Sequence, residues 1–373
     1  MSRFASKTVL LGLDIGTHFA KAVIGQKTDG EPLEIFGSGC VKQQPGAMEA
    51  GVIMDIPSVA DSCERAIHEA ETTSGLSASS VVVGIAGELV KCNTSTVRYR
   101  RKNSNRPLSD SEMSVILEKV QTAAQEKARD EIAFETDNPR AEAALVNSAI
   151  VSIFIDGQKV NNPIGFKGSD IVIEFYTAFA PSIHVRAIEK VCADLNLDLI
   201  AIAVDPFAIC RACLGDSENA DTPAILIDVG GSNTSIAIVD ENGIRGTETF
   251  SIGAHSIERD ISVWLSGVEI ALKDFPHIKD LPCRIFLCGG GANLSELQEE
   301  LALGNWYQNL NFSRRPVVNL IEISDLPDIK NSIQTELEST FVTAIGLVRI
   351  AVDTLDANSK PKLRLKISKI LHN

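Results

Sequence analysis

The sequence predicts an α/β protein of two lobes, and three observations carry that prediction. Apolar runs of strand length alternate along the chain with segments of helical period, the pattern of sheets covered by crossover helices. One unit, a strand ending in Asp-x-Gly and followed directly by a second strand, occurs around Asp14 and again around Asp228. The chain has 373 residues, more than a single hydrophobic core ordinarily serves.

Taken in order, residues 8–25 and 33–40 alternate as strands around the turn "KTDGEP". "IPSVADSCERAIHEAETTSG" (56–75) has helical spacing, with Ser58 as the expected cap and Gly75 as the stop. "SSVVVGIAG" (79–87) is a buried strand. A basic stretch, "RYRRKNSNRP" (98–107), is expected as a solvated loop. "LSDSEMSVILEKVQTAAQEKARDE" (108–131) is a long helix opened by a Ser/Asp cap and an acidic first turn. Strands follow at 145–155 and 170–180, then a helix at 181–196. "LIAIAVDPFAICRACLG" (199–215) is a strand and then a helix, and the polar "DSENADTP" (216–223) is the expected boundary between lobes. Residues 224–253 repeat the opening device, and "RIFLCGGGANLSELQEEL" (284–301) is a strand, three glycines and a helix. Only residues 263–282 lie between "SIGAHSIERDIS" and that last unit, enough for one helix and a linker.

The formal charge is −14, which argues against nucleic acid as a partner. Most of the eight cysteines sit inside apolar runs, as small buried hydrophobes do. Cys210 and Cys213 form a lone C-x-x-C with no second pair, expected as a reduced helix-face pair rather than a metal site. No signal peptide is evident before residue 10, and no apolar run reaches the roughly 20 residues a bilayer span needs. A cytoplasmic location is expected.

The glycine turns carry the chemistry. A strand that ends in Asp-x-Gly turns tightly, presents successive backbone N–H groups, and lets a ligand approach closely where glycine has no Cβ. Gly16 and Thr17 do this in the first unit, and Gly230, Gly231 and Ser232 in the second, with Thr234 as a further hydroxyl. Asp14 and Asp228 would repel a phosphate unless a cation stood between, and Mg²⁺ held through water fills that role. Lys21 can neutralise outer phosphates as a point charge. Gly289, Gly290 and Gly291 would let backbone meet a flat base or ribose. His18, beside Thr17, is given no role.

In these segments the sequence resembles the actin, sugar-kinase and chaperone ATPase superfamily. "DIGTHFAK" resembles its first phosphate motif, "IDVGGSNTSIAIV" the second and "IFLCGGGANL" the adenosine motif. Within it, "GVIMDIPSVADSCERAIHEAETTSGLSASSVVVGIAG" (51–87) and "NNPIGFKGSDIVIEFYTAF" (161–179) resemble the bacterial cell-division proteins of the FtsA family. The resemblance implies an actin-like (ribonuclease H-like) two-lobed fold: a first lobe at 1–81 and 181–221, an inserted α+β (SHS2) subdomain at 82–180, and a shortened second lobe at 222–355. It implies ATP and Mg²⁺ bound by the residues above, with Asp205, just before Pro206, near the attacking water and at most a weak ATPase activity. It further implies a scaffold at the division septum that holds the C-terminal tail of FtsZ, self-associates, and sits on the anionic inner face of the membrane. The short second lobe departs from the family, which places a whole subdomain there; nucleotide affinity and filament contacts are what this affects. Two other readings stay open: a PilM-like cytoplasmic component of type IV pilus assembly, and a phosphotransferase of the sugar-kinase or exopolyphosphatase kind.

The last segment, 356–373, is basic. On a helix Leu363, Ile367, Ile370 and Leu371 share one face, with Lys360, Lys362, Arg364, Lys366 and Lys369 around it. Each basic residue near an anionic bilayer contributes about 1 kcal/mol. The segment resembles the membrane-targeting helix of FtsA proteins; a solvated tail, or a strand using Leu363, Leu365 and Ile367, are the alternatives.

Overall fold

The two Asp-x-Gly hairpins each seed a sheet, and the two sheets share one topology. A computed structural model describes residues 8–28, 30–214, 223–240, 243–275, 278, 280–333 and 337–359. In the first sheet β1 (Thr8–Ile15), β2 (Phe19–Lys27) and β3 (Leu33–Lys42) form an antiparallel meander. A two-residue pair, β4 (Met48–Glu49) and β5 (Val52–Ile53), precedes α1 (Ile56–Ser74), which crosses over to β6 (Ser80–Ile85), parallel to β1.

A separate four-stranded antiparallel sheet then follows. It is built from β7 (Lys91–Arg100), β8 (Ala143–Ile155), β9 (Gln158–Lys159) and β10 (Asp170–Pro181) in the order β7-β10-β8-β9. The apolar side of α2 (Asp110–Glu135) packs on it through Met113, Ile116, Leu117 and Val120 against Ile153, Ile171, Ile173 and Phe175. After α3 (Ser182–Asp194) the chain rejoins the first sheet as β11 (Asp198–Val204), parallel to β6, and runs into α4 (Asp205–Leu214).

The second large sheet repeats the first. β12 (Ala224–Val229), β13 (Thr234–Asp240) and β14 (Gly243–Phe250) form the meander, and α5 (Ala254–Ile257) and α6 (Ile261–Lys273) make the crossover. β15 (Arg284–Cys288), α7 (Ser295–Leu303) and β16 (Val317–Leu320) complete it. Its order, β14-β13-β12-β15-β16, matches β3-β2-β1-β6-β11 strand for strand. The chain finally returns to the first sheet, adding β17 (Ile329–Asn331) beside β3 and burying α8 (Val342–Ser359) against β1 and α4.

The central strands are apolar on both faces because helices cover both faces; Leu10, Leu11 and Leu13 are at most 1 % exposed. The helices lie unusually close. A Cβ on Gly12 would run into the backbone oxygen of Ala344 on α8, and one on Gly346 into the backbone of Ala208 on α4. The α4–α8 pair is thus in backbone contact, and it is these two helices that lie between the sheets.

Local expectations are refined in four places. The cap of α1 is Asp55, whose carboxylate accepts the Ser58 N–H at 3.4 Å and the Ser58 hydroxyl at 2.6 Å, so Ser58 stands inside the first turn. The basic stretch is not a solvated loop throughout. Arg98 lies in β7 and pairs with Asp170 at 2.6 Å, while Arg101 is buried and grips Glu112 at 2.7 Å. The small sheet also reaches the second lobe: Tyr176 bonds Thr247 at 3.1 Å and Arg245 pairs with Glu174 at 2.7 Å. A single helix, α6, occupies 261–273 as the spacing required, and it buries Trp264 completely.

Residues 216–222 of the expected boundary, and the tail residues Leu363, Ile367, Ile370, Leu371, Lys362, Lys366 and Lys369, lie outside the described residues. Among the described residues no helix is long and apolar enough to cross a membrane.

Gly346→Ala is expected to lower stability by about 3 kcal/mol, because overpacking a backbone contact forces α4 and α8 apart. A urea midpoint unchanged from wild type would show that the two helices have room to spare.

Candidate functional site

The two hairpin turns are geometrically equivalent. In the first, the Gly16 N–H donates to the Phe19 carbonyl at 3.1 Å; in the second, the Gly230 N–H donates to Asn233 at 2.9 Å. Asp14 is registered opposite Lys21, and Asp228 opposite Ser235. The turns face each other. The Ser232 hydroxyl donates to Thr17 Oγ1 at 3.1 Å, and the His18 ring lies on Gly231, where a Cβ would come within 2.6 Å of it. His255, at the start of α5, places Nε2 2.6 Å from Nε2 of His18. The sequence-predicted Thr17, Gly231 and Ser232 therefore meet at one place, with Asp14, Lys21 and Asp228 beneath them on β1, β2 and β12.

That floor holds more negative than positive groups. Lys21 Nζ lies 3.3 Å from Asp14 Oδ2. Burial disfavours the Lys21 charge, but Asp14, and after it Asp228, outweigh burial and raise its pKa. Burial pushes Asp228 up to about 6; Lys21 opposes that shift and Asp14 adds to it. Asp205, the first residue of α4, is pushed well above the usual carboxylate range, by burial first and then by Asp14 and Asp228. Thr343 of α8 donates to Asp228 Oδ2 at 3.4 Å. Three carboxylates thus share one ammonium, and burial together with their mutual repulsion raises the pKa of Asp205 and of Asp228.

Unpartnered polar atoms collect around the same cleft. Asp205 Oδ1, Asn233 Oδ1 and Gln43 Oε1 are buried without a hydrogen-bond partner; Gln43 sits on the first turn, its Nε2 donating to the Gly16 carbonyl at 3.4 Å. Buried polar atoms left unpaired point to a missing water, ion or ligand. Excess carboxylate, orphaned acceptors and two N–H-bearing turns fit a divalent cation with a phosphate chain. Among the described residues no three His, Cys, Asp or Glu side chains converge as direct ligands of one ion. Asp14 and Asp228 would therefore reach the cation through water.

Other expected residues fall differently. The Thr234 hydroxyl is fully buried, donates to the Ile252 carbonyl at 2.6 Å and accepts from Trp264 Nε1 at 2.8 Å, so it braces the second turn and is not a free phosphate donor. Of the three glycines after β15, Gly289 has φ +86° and packs on Asp228 and Val229, and Gly291 packs on Val229 and Ala254; both are required by the fold. Gly290 faces open space. His255, Gln43, Asn233 and Thr343 were not singled out by sequence pattern. Asn233, inside the second motif, and His255, just beyond it, were within reach of a closer reading; Gln43 and Thr343 join the site only through tertiary packing.

No family profile matches the chain. Curated relatives do: it is 27 % identical over 267 residues to the cell division protein FtsA of Pseudomonas aeruginosa, covering 71 % of this chain and 59 % of that one. It is 22 % identical over 367 residues to FtsA of Bacillus subtilis, covering 93 % of this chain and 77 % of that one. The chain thus spans little more than half of the Pseudomonas relative. Among solved structures, a chain of the PilM–PilN type IV pilus biogenesis complex superposes with a TM-score of 0.65 at 17 % identity, over 92 % of this chain and 98 % of that one. The fold is actin-like. The duplicated sheets bring two equivalent turns to a common cleft, where Thr17 meets Ser232.

Lys21→Met is expected to destabilise by about 3 kcal/mol, since it leaves a buried carboxylate without its counterion. Asp205→Asn is expected to be neutral or slightly stabilising, since it removes a repelled acid. Equal losses in the two variants, measured by urea unfolding, would contradict this charge distribution.

Proposed function

We propose that the protein is an FtsA-like cell-division scaffold whose two lobes clamp ATP and Mg²⁺ as a structural switch, with little turnover. The observation that carries this reading is the meeting of two equivalent turns, Thr17 against Ser232, above an over-acidic floor. The likeness to FtsA proteins supports the cellular role.

The residues divide the work as follows. Gly16 and Thr17 from the first lobe, and Gly230, Gly231 and Ser232 from the second, would present N–H and hydroxyl groups to the phosphates. Asp14 and Asp228 would hold Mg²⁺ through water, and Lys21 would be freed in part from Asp14 to face the phosphates. Mg²⁺ supplies positive charge that the floor lacks. Gly290 leaves open the side where a nucleoside would lie, with Gly289 and Gly291 fixing the backbone there. Asp205 would stand near the water that attacks the outer phosphate, with at most weak ATPase activity. Because α4 and α8 are in backbone contact, a change in the gap between turns would be passed on as a rotation of lobes.

The cellular role assigns parts to the regions. The first lobe (1–81 and 181–221), the insert (82–180) and the second lobe (222–355) would form the switch. The second lobe would hold the FtsZ C-terminal tail, and self-association into filaments would multiply weak contacts by avidity. The basic segment 356–373, through Leu363, Ile367, Ile370 and Leu371 with Lys362, Lys366 and Lys369, would bind the anionic inner membrane surface at the division site.

Calorimetric titration with ATP and Mg²⁺ is expected to show binding in the micromolar range, weakened at least tenfold in Asp228→Asn. No binding up to millimolar concentration would reduce the turns to fold-forming devices. Deleting 360–373 is expected to abolish pelleting with anionic liposomes; undiminished pelleting would remove the tail from the account.

A further inference from the structure

Two histidines meet across the mouth of the cleft. His18 Nε2 lies 2.6 Å from His255 Nε2, with the rings edge to face at 84° and their centroids 4.3 Å apart. Both are tied by backbone to the phosphate turns. His18 follows Thr17, and its carbonyl accepts the Gln43 N–H at 2.8 Å; the His255 N–H donates to the Gly231 carbonyl at 3.2 Å, and the neighbouring Ala254 N–H to Gly230 at 2.9 Å. The second turn makes room for the pair, since any side chain at Gly231 would strike the His18 ring. Two imidazole nitrogens this close share one proton, one ring donating and the other accepting. They cannot both be protonated and stay together.

Burial first, and then His255, Lys42 of β3 and Lys21 of β2, lower the pKa of His18. On the other side, the chain beyond His255 carries Glu258 and Arg259, one of each sign. The mouth therefore gathers cationic and protonatable groups, Lys42, Lys21 and the two rings, whose charge a counter-anion would balance. A phosphate chain would supply that balance.

We propose that His18 and His255 are ligands of the outermost phosphoryl group of a polyphosphate anion, and that their shared proton latches the lobes until such an anion parts them. This rests on the reading of the cleft as a nucleoside polyphosphate site. When the anion enters, the N–H···N bond between the rings breaks and each ring donates to phosphate oxygen instead. One ring keeps the shared proton as its donor. The other takes one further proton from solvent and becomes an imidazolium, so binding carries proton uptake. Affinity accordingly rises as pH falls from 8 toward 6.5.

The test is calorimetric titration of the full chain with tripolyphosphate, and separately with ATP and Mg²⁺, at pH 7 in two buffers of different ionisation heat. The same titrations are run on His18→Gln, His255→Gln and His255→Ala. His18 is only partly buried and His255 is exposed, so the variants should keep their fold, which far-UV circular dichroism checks. Wild type is expected to take up about one proton more per anion than the glutamine variants, and to bind about tenfold more tightly than them at pH 6.5 but only about threefold at pH 8. Binding of either anion with the same proton uptake in wild type and variants would overturn the latch and leave the nucleotide reading standing. Binding of neither anion would overturn both.

Discussion

The structure depends on one electrostatic constraint: three carboxylates, the buried Asp14 and Asp205 and the half-buried Asp228, surround a single ammonium, Lys21, at the floor of the cleft. Each reaches that place from a different element, β1, the start of α4 and β12. Such a group is costly in an apolar interior, and burial raises the pKa of Asp205 well above the usual carboxylate range and that of Asp228 to about 6. A fold that only needed a core would fill this position with leucines. The cation and polyanion proposed for the cleft would give the three carboxylates a use that a core alone does not.

The architecture explains how the carboxylates come together. Sheet topology is duplicated, so the two Asp-x-Gly turns arrive as near-equivalents from opposite sides. The helices between the sheets, α4 and α8, place Asp205 and Thr343 beside Asp228. Their backbone contact at Gly346 and Ala208 leaves no room between the two helices; in the proposed switch, this contact would pass motion at the turns to whole lobes. The small sheet bridges to the second lobe through Tyr176 and Arg245, and the shortened second lobe keeps its own core around Trp264, with α5 and α6 as its crossover.

Much of this was legible in the sequence because it is local. The two hairpins, the strand–Gly-Gly-Gly–helix unit and the helix spans all follow from period and turn chemistry, and the repeat of Asp14 at Asp228 announced the duplicated lobes. What depends on long-range packing was not legible. Thr234 reads as one more hydroxyl in a phosphate turn until Trp264 is seen to claim it. Arg101 reads as solvated until it is seen buried and paired with Glu112, in the first turn of α2. His18 and His255 are distant in sequence, and no pattern joins them. Ser58 reads as a cap because the true cap, Asp55, stands two residues before the proline that opens α1.

The central claim is that both turns grip one ligand from opposite lobes. Hydrogen exchange of the backbone amides at 16–18 and 230–232, with and without ATP and Mg²⁺, measures this most directly, because those N–H groups are the proposed donors. The account predicts that exchange slows at both turns together, over the same range of nucleotide concentration. Slowing at one turn alone, or at neither while nucleotide is bound elsewhere, would contradict it.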